Sequence, residues 1–255
     1  MADPLLAGET ALVTGAASGI GRGIARALAA EGVRLALSDI DADRGGAVAA
    51  ELGAAFLPAD LSRPAAAAPL FGAAIEALGT LSLLVHSASP RRPESQTILA
   101  VTEAEWDAML TTNLRAGFVL GRAAAAHMIA RGVRGRMLFV TSLHAETPRN
   151  LPHYSAAKAG ETMLVKELAR ALGPHGIRVN AIAPGAIPGG GFAADVAALE
   201  RMIPLGRAGT PEDIAAMAVA LLSERFGRYV TGTTVAVDGG LALYNWIPAP
   251  GDSGR

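Results

Sequence analysis

Thr10-Ala11-Leu12-Val13-Thr14-Gly15-Ala16-Ala17-Ser18-Gly19-Ile20-Gly21 is the stretch that decides the fold. Its first five residues are a short apolar run of strand character, and from Ile20 to Ala30 the apolar positions recur at helical spacing. Between the two lies a Gly-x-x-x-Gly-x-Gly turn. Glycines there permit a tight reversal and let backbone N–H groups and the helix N-terminus approach a pyrophosphate. Gly15, Ser18, Gly19, Ile20 and Gly21 are therefore candidate dinucleotide contacts. In a chain with 30 glycines the pattern alone is weak, and its weight comes from the strand before it and the helix after it.

The same alternation continues outward. Strands are expected at 33–38, 54–57, 81–86, 136–141, 177–181 and 233–237. Helices are expected from about Asp43, at 65–78, as one element over 103–130, and at 153–172 and 211–222. Strands separated by helical stretches read as βαβ units, giving an α/β Rossmann-like doubly wound parallel sheet with helices on both faces. No repeat or low-complexity linker divides the chain, so residues 1–255 are read as a single dinucleotide-binding and catalytic domain. Breakers between Pro184 and Pro204 mark a mobile substrate loop at about 186–204, and residues 247–255 read as a loose tail.

Composition narrows the function. The chain has 255 residues, 51% hydrophobic and 18% charged, enough apolar surface for a compact core. Twenty-two basic and 23 acidic residues leave a net charge of −1, which gives no bulk field for a nucleic acid or an anionic membrane. Cysteine is absent, so there are no disulfides, thiolate metal sites or cysteine nucleophiles. The five histidines show no close helical pairing, and no metal is expected. Met1-Ala2-Asp3-Pro4 carries an acid where an export signal needs positive charge, and no apolar run reaches about 18 residues, so a cytoplasmic setting is expected.

Asp39 closes the second strand. A carboxylate there accepts hydrogen bonds from ribose hydroxyls and repels a 2′-phosphate, which favours NAD over NADP; Arg22 and Arg44 are the nearby groups that would serve a phosphate. Asp60, after the third strand, either meets the adenine or caps the turn before Ser62-Arg63-Pro64.

The second informative group is Tyr154-Ser155-Ala156-Ala157-Lys158, which places a phenol and an ammonium on one helix face. Only three tyrosines and two lysines occur in the chain, so the pairing is conspicuous. A phenol is a poor base near neutrality, and an adjacent ammonium favours its phenolate, making Tyr154 a proton-transfer group. Ser142, at the end of the preceding strand, stands where a hydroxyl can hold a substrate oxygen beside that phenol.

Thr14 to Gly21, Asp39, Asp60-Leu61, Asn113, Ser142, Tyr154, Lys158, Asn180, Pro184-Gly185 and Asp238-Gly239-Gly240 together resemble the short-chain dehydrogenase/reductase family over essentially the full chain. The resemblance implies a nicotinamide cofactor, a homotetramer and a Ser142–Tyr154–Lys158 centre extended by Asn113, which would hold a water relaying protons toward Lys158. It adds Leu61, Ser87, Ala88, Pro184, Gly185 and Ile187, with Tyr154 and Lys158 themselves, to the cofactor contacts. Two departures stand out: His86-Ser87-Ala88-Ser89 replaces the family's Asn-Asn-Ala-Gly, and Gly189 occupies a position that is often threonine.

Ser142, His144, Glu146 and His153 are candidate substrate contacts, and their neighbourhood is similar to the glucose 1-dehydrogenase-like branch. This implies a small polyhydroxylated substrate, a sugar or polyol, rather than any macromolecular partner. Arg91 and Arg92 keep a 3-oxoacyl thioester reductase as an alternative, and a catalytically silent dinucleotide-binding regulator is the rival from outside enzymology.

Overall fold

A computed structural model describes residues 4–93, 95–188 and 199–243. The centre of the expected substrate loop, including Gly189, and the tail 247–255 lie outside these residues.

Seven strands form one sheet in the order β3-β2-β1-β4-β5-β6-β7, every neighbouring pair parallel. They are β1 (Thr10–Thr14), β2 (Arg34–Ser38), β3 (Ala55–Phe56), β4 (Leu83–His86), β5 (Arg136–Val140), β6 (Arg178–Pro184) and β7 (Thr234–Val237). The helices are α1 (Gly19–Ala30), α2 (Ala42–Leu52), α3 (Ala67–Leu78), α4 (Glu103–Leu110), α5 (Ala116–Arg131), α6 (Pro152–Leu172), α7 (Pro211–Leu222) and the short α8 (Glu224–Gly227). This is the doubly wound parallel architecture the alternation predicts.

Both faces of the sheet are covered, and strand alternation assigns each side chain to a face. Ala11 and Val13 of β1, Leu83 and Val85 of β4, and Leu138 and Val140 of β5 join Ile24, Leu28, Ile214 and Leu222 in one core. Leu12, Leu84, Met137 and Phe139 point the other way, into a core with Leu70, Leu120, Met128 and Val165. Alanines at Ala25, Ala124 and Ala218, all buried, let the helices lie close to the strands. Local chemistry sets the helix starts: Asp41 caps α2 by accepting the Arg44 N–H, while Thr102–Glu105 and Thr210–Asp213 form reciprocal capping boxes at α4 and α7.

Two boundaries differ from the sequence reading in ways that matter. The single helix expected over 103–130 is interrupted by a π turn at Thr111–Arg115, which carries Asn113. Strand β6 runs three residues further than the expected Ala181, because Ile182, Ala183 and Pro184 continue the pairing with β7 as far as Val237.

Candidate active site

Strand order reverses between β1 and β4, and the loops leaving the carboxyl ends of these two strands open a cleft of about 1110 Å³. Switch points of this kind are where doubly wound sheets bind ligands. One end is walled by the glycine loop, Asp39, Asp60 and Leu61; the middle by Ser87, Ala88, Pro184, Gly185 and Ile187; the other end by Ser142, His144, Tyr154 and Lys158. All the expected cofactor residues are therefore gathered around one space.

The glycine loop fits a pyrophosphate. Gly15 has φ 69°, and a Cβ there would stand 2.8 Å from the backbone of Ser87 and Ala88; a Cβ on Gly21 would collide with the Gly15 carbonyl. Side chains are thus excluded, and backbone forms the floor. The N-terminus of α1 has neither a side-chain cap bond at Ser18 nor an acid in its first turn, which leaves its N–H groups and dipole directed at an anionic ligand.

Asp39 also shapes this loop: Oδ2 accepts the Ala17 N–H at 2.9 Å and Oδ1 the Asp41 N–H at 3.0 Å. Asp60 is held by its own turn, accepting from the Ser62 backbone and hydroxyl, with Arg63 beside it. The Ser62 hydroxyl bond, foremost, holds its carboxyl below the usual range. Arg44 lines the cleft, whereas Arg22 is not among the lining residues.

At the other end, Ser142 follows β5 and its Oγ accepts the His144 N–H at 3.2 Å. Tyr154 and Lys158 occupy successive turns of α6, with Nζ 5.8 Å from the phenol ring centroid. The lysine is 2% exposed and fixed from behind: Nζ donates to Val140 O at 2.7 Å and to Glu161 Oε2 at 2.8 Å. Glu161 is completely buried. Burial pushes its carboxyl up to about 7, against the pull of the Lys158 ammonium.

Behind this pair stands His86. Thr14 Oγ1 accepts the Ser87 and Ala88 N–H groups at 3.2 and 3.3 Å, so its own proton is directed to His86 Nδ1 at 3.0 Å. Nε2–H is then the donor to Thr112 O and Asn113 O at 3.1 and 3.0 Å. The ring is neutral, since burial above all, and then Lys158, pushes its pKa down to about 4. In place of the family's asparagine, His86 thus ties β1 to the π turn. Asn113 is fully buried, its Nδ2 donating to Met109 O at 2.9 Å. Asn113 Oδ1, Glu161 Oε1 and Thr112 Oγ1 have no hydrogen-bond partner among the described residues.

The expected substrate residues separate. His144 lies edge-on to Tyr154 at 5.2 Å between ring centroids, and burial, then Arg92 and Arg149, push its pKa down to about 4. Glu146 is exposed after the 3₁₀ turn, and neither it nor His153 is among the lining residues. His153 precedes Tyr154 in α6, so the turn of about 100° per residue carries it off the cleft face, where Glu105 is a neighbouring charge. Arg92 packs its guanidinium 3.7 Å from the centre of the Tyr154 ring. Sequence reasoning missed Glu161 and Arg149. An acid one turn beyond Lys158, on the face that carries Tyr154, was the available signal for the first; nothing local marked the second.

No helix among the described residues is long and apolar enough to cross a membrane, and none of them form a cluster of three or more His, Asp or Glu placed to hold a metal.

A doubly wound parallel sheet whose switch-point cleft joins a glycine loop to a Ser–Tyr–Lys cluster defines a Rossmann-like oxidoreductase. Residues 15–242 match the family model described as enoyl-(acyl carrier protein) reductase. The chain is 38% identical to 3beta-hydroxysteroid dehydrogenase 1 of Eggerthella lenta, covering 94% of this chain and 95% of the relative. It is 36% identical to L-rhamnose 1-dehydrogenase (NAD(P)(+)) of Azotobacter vinelandii, covering 93% and 98%. The crystal structure of 3-ketoacyl-(acyl-carrier-protein) reductase from Brucella melitensis complexed with NADH superposes with a TM-score of 0.86 at 33% identity, over 93% of this chain and 99% of that one. The chain belongs to the short-chain dehydrogenase/reductase family and is an oxidoreductase acting on alcohol or carbonyl groups.

Proposed function

We propose that the protein interconverts a secondary alcohol and a carbonyl with NAD(H), on a small hydroxyl-bearing substrate. The observation that carries this reading is the convergence of Ser142, Tyr154 and a rigidly held Lys158 at the mouth of the glycine-loop cleft. When bound, a nicotinamide dinucleotide supplies or accepts the hydride. Gly15, Ser18, Gly19, Ile20 and Gly21 would hold its pyrophosphate, Asp39 its adenosine ribose, and Ser87, Ala88, Pro184, Gly185 and Ile187 the remainder.

The chain's own residues handle the proton. Ser142 Oγ orients the substrate oxygen. In the oxidative direction the Tyr154 oxygen takes the hydroxyl proton, and in the reductive direction it returns one to the carbonyl. The Lys158 ammonium sets a positive charge 5.8 Å from the phenol ring centroid, and its bonds to Val140 O and Glu161 hold it in place. Asn113, with a buried and unpartnered Oδ1, offers the acceptor for a water relaying protons toward Lys158.

Asp39 supports NAD over NADP, because its carboxylate lines the cleft at the ribose end. Ser142 and His144, together with a relative named for a sugar, support a polyhydroxylated substrate. Arg91 and Arg92 on the cleft wall, together with the ketoacyl reductase likeness, favour an acyl thioester as the second reading. A cytoplasmic homotetramer completes the proposal. Reduced-nicotinamide absorbance, followed with both cofactors over polyols, aldoses, hydroxy acids and 3-oxoacyl thioesters, tests it. Absence of turnover across that panel would leave the silent-regulator reading in its place.

A further inference from the structure

The Tyr154 end of the cleft has a charge that the reaction itself does not require. Arg91, Arg92 and Arg149 line it, and the carboxylates that line the cleft among the described residues, Asp39, Asp41 and Asp60, all stand at the glycine-loop end. None of the three arginines is in an ion pair among the described residues. Arg92 Nε and Arg149 Nε are buried without a hydrogen-bond partner. With a net charge of −1 over the whole chain, this concentration of cations is local.

The two loops that carry the guanidiniums are joined. The Gln96 N–H donates to Asn150 O at 2.7 Å, linking the segment after Arg92 to the residue after Arg149. Asn150 has φ 53°, alone among the described non-glycine residues in the left-handed region, which asparagine enters more readily than most. Arg92 lies against the Tyr154 ring, next to where the reacting oxygen must sit.

Guanidiniums with spare donors match carboxylate or phosphate oxygens bidentately, and an uncharged polyol matches them far less well. We infer that the substrate carries an anionic group, carboxylate or phosphate, which Arg92 and Arg149 bind beside the reacting hydroxyl or carbonyl. This rests on the oxidoreductase reading and narrows its substrate to hydroxylated or oxo anions. Sugar acids, sugar phosphates and phosphate-bearing acyl thioesters share that chemistry.

The test uses pairs that differ in charge: 3-hydroxybutyrate with its methyl ester, glucose 6-phosphate with glucose, and acetoacetyl-CoA with acetoacetyl-pantetheine. In the wild-type protein with cofactor, the anionic member of at least one pair is expected to show kcat/KM about tenfold or more above its neutral partner. In R92Q/R149Q that ratio should collapse, while R92K/R149K keeps part of it. Which pair responds identifies the source of the anion. A ratio near one in the wild type, or one unmoved by R92Q/R149Q, overturns the inference. If no pair turns over, the substrate lies outside these three pairs, the oxidoreductase reading is left to the wider panel, and the anion site is read by NMR titration of His144 with inorganic phosphate. An upward shift of its midpoint that R92Q/R149Q abolishes keeps the anion site, and no shift removes it.

Discussion

The two ends of the cleft are built on opposite principles. At the glycine-loop end the side-chain carboxylates are satisfied before any ligand arrives and only backbone N–H groups at the start of α1 are left open: Asp39 accepts two backbone N–H bonds, and Asp60 is held by Ser62 and Arg63. At the Tyr154 end, Arg92, Arg149, His144, Asn113 and Glu161 each keep a buried polar atom without a partner. Buried polar groups left unpaired are costly, and they concentrate where a ligand or ordered water completes the bonding. The first end is therefore a finished mould for a constant molecule, and the second gains its bonds from whatever the protein selects.

The largest effect expected is at the second end. Tyr154→Phe should lower kcat by roughly 10²–10⁴ while leaving the dinucleotide Kd almost unchanged, because it removes the oxygen proposed to transfer the proton but keeps the ring. Turnover within a few-fold of wild type would erase the functional distinction between the two ends. Glu161→Ala tests whether the buried lysine depends on its carboxylate. Breaking a buried pair costs about 3–5 kcal/mol, to be read by urea unfolding. Glu161→Gln, which retains a hydrogen bond, should restore much of that stability and alter the pH profile of kcat. Equal behaviour of the two variants would reduce Glu161 to a space filler.

At the first end, Gly15→Ala places a Cβ against the Ser87–Ala88 backbone at a positive φ. The dinucleotide Kd should rise by at least tenfold, about 1.4 kcal/mol, with the Tyr154 centre intact. Asp39→Ala should narrow or reverse the proposed preference for NAD over NADP, measured as the ratio of kcat/KM values. A wild-type preference for NADP would point to Arg44, which lines the same end.

The smallest effect concerns His144. Its pKa, pushed down from 6.5 to about 4, leaves the ring uncharged at neutral pH, and protonation begins only on acidification toward that value. Relieving the repulsion from Arg92 and Arg149 in R92Q/R149Q should raise its NMR midpoint only in part, because burial, the larger cause, remains; an unmoved midpoint would show that burial acts alone. His144→Ala should reduce kcat/KM for a polyhydroxylated substrate more than for a simple ketone.

The first end could be read almost entirely from sequence, because its parts are consecutive or fixed by strand ends: a glycine loop, an acid closing β2, another following β3. Tyr154 and Lys158 were equally visible, since a helix guarantees that residues four apart share a face. The remainder depends on contacts between distant segments. The interruption that seats Asn113 leaves the apolar spacing of 103–130 nearly unchanged, so periodicity could not reveal it. Arg149 reaches the cleft through a bond between loops some fifty residues apart in sequence. Glu146 and His153 had the right chemistry beside the right neighbours, but the 3₁₀ turn and the rotation of α6 took them elsewhere.

The π turn at Thr111–Arg115 also limits how this chain can change in length. Such a turn holds one residue more than the α-helical turn that would replace it. Deleting one residue there would let the turn close as regular α-helix with Glu103–Leu110 and α5 near their present relative phase, because the wide turn is what absorbs the extra residue. The change would fall on the turn itself, on the Thr112 and Asn113 carbonyls that accept the His86 Nε2–H and on the Asn113 side-chain bond to Met109 O. Surface loops can gain or lose residues during divergence, but here a single-codon deletion would dismantle the buried wall behind Lys158.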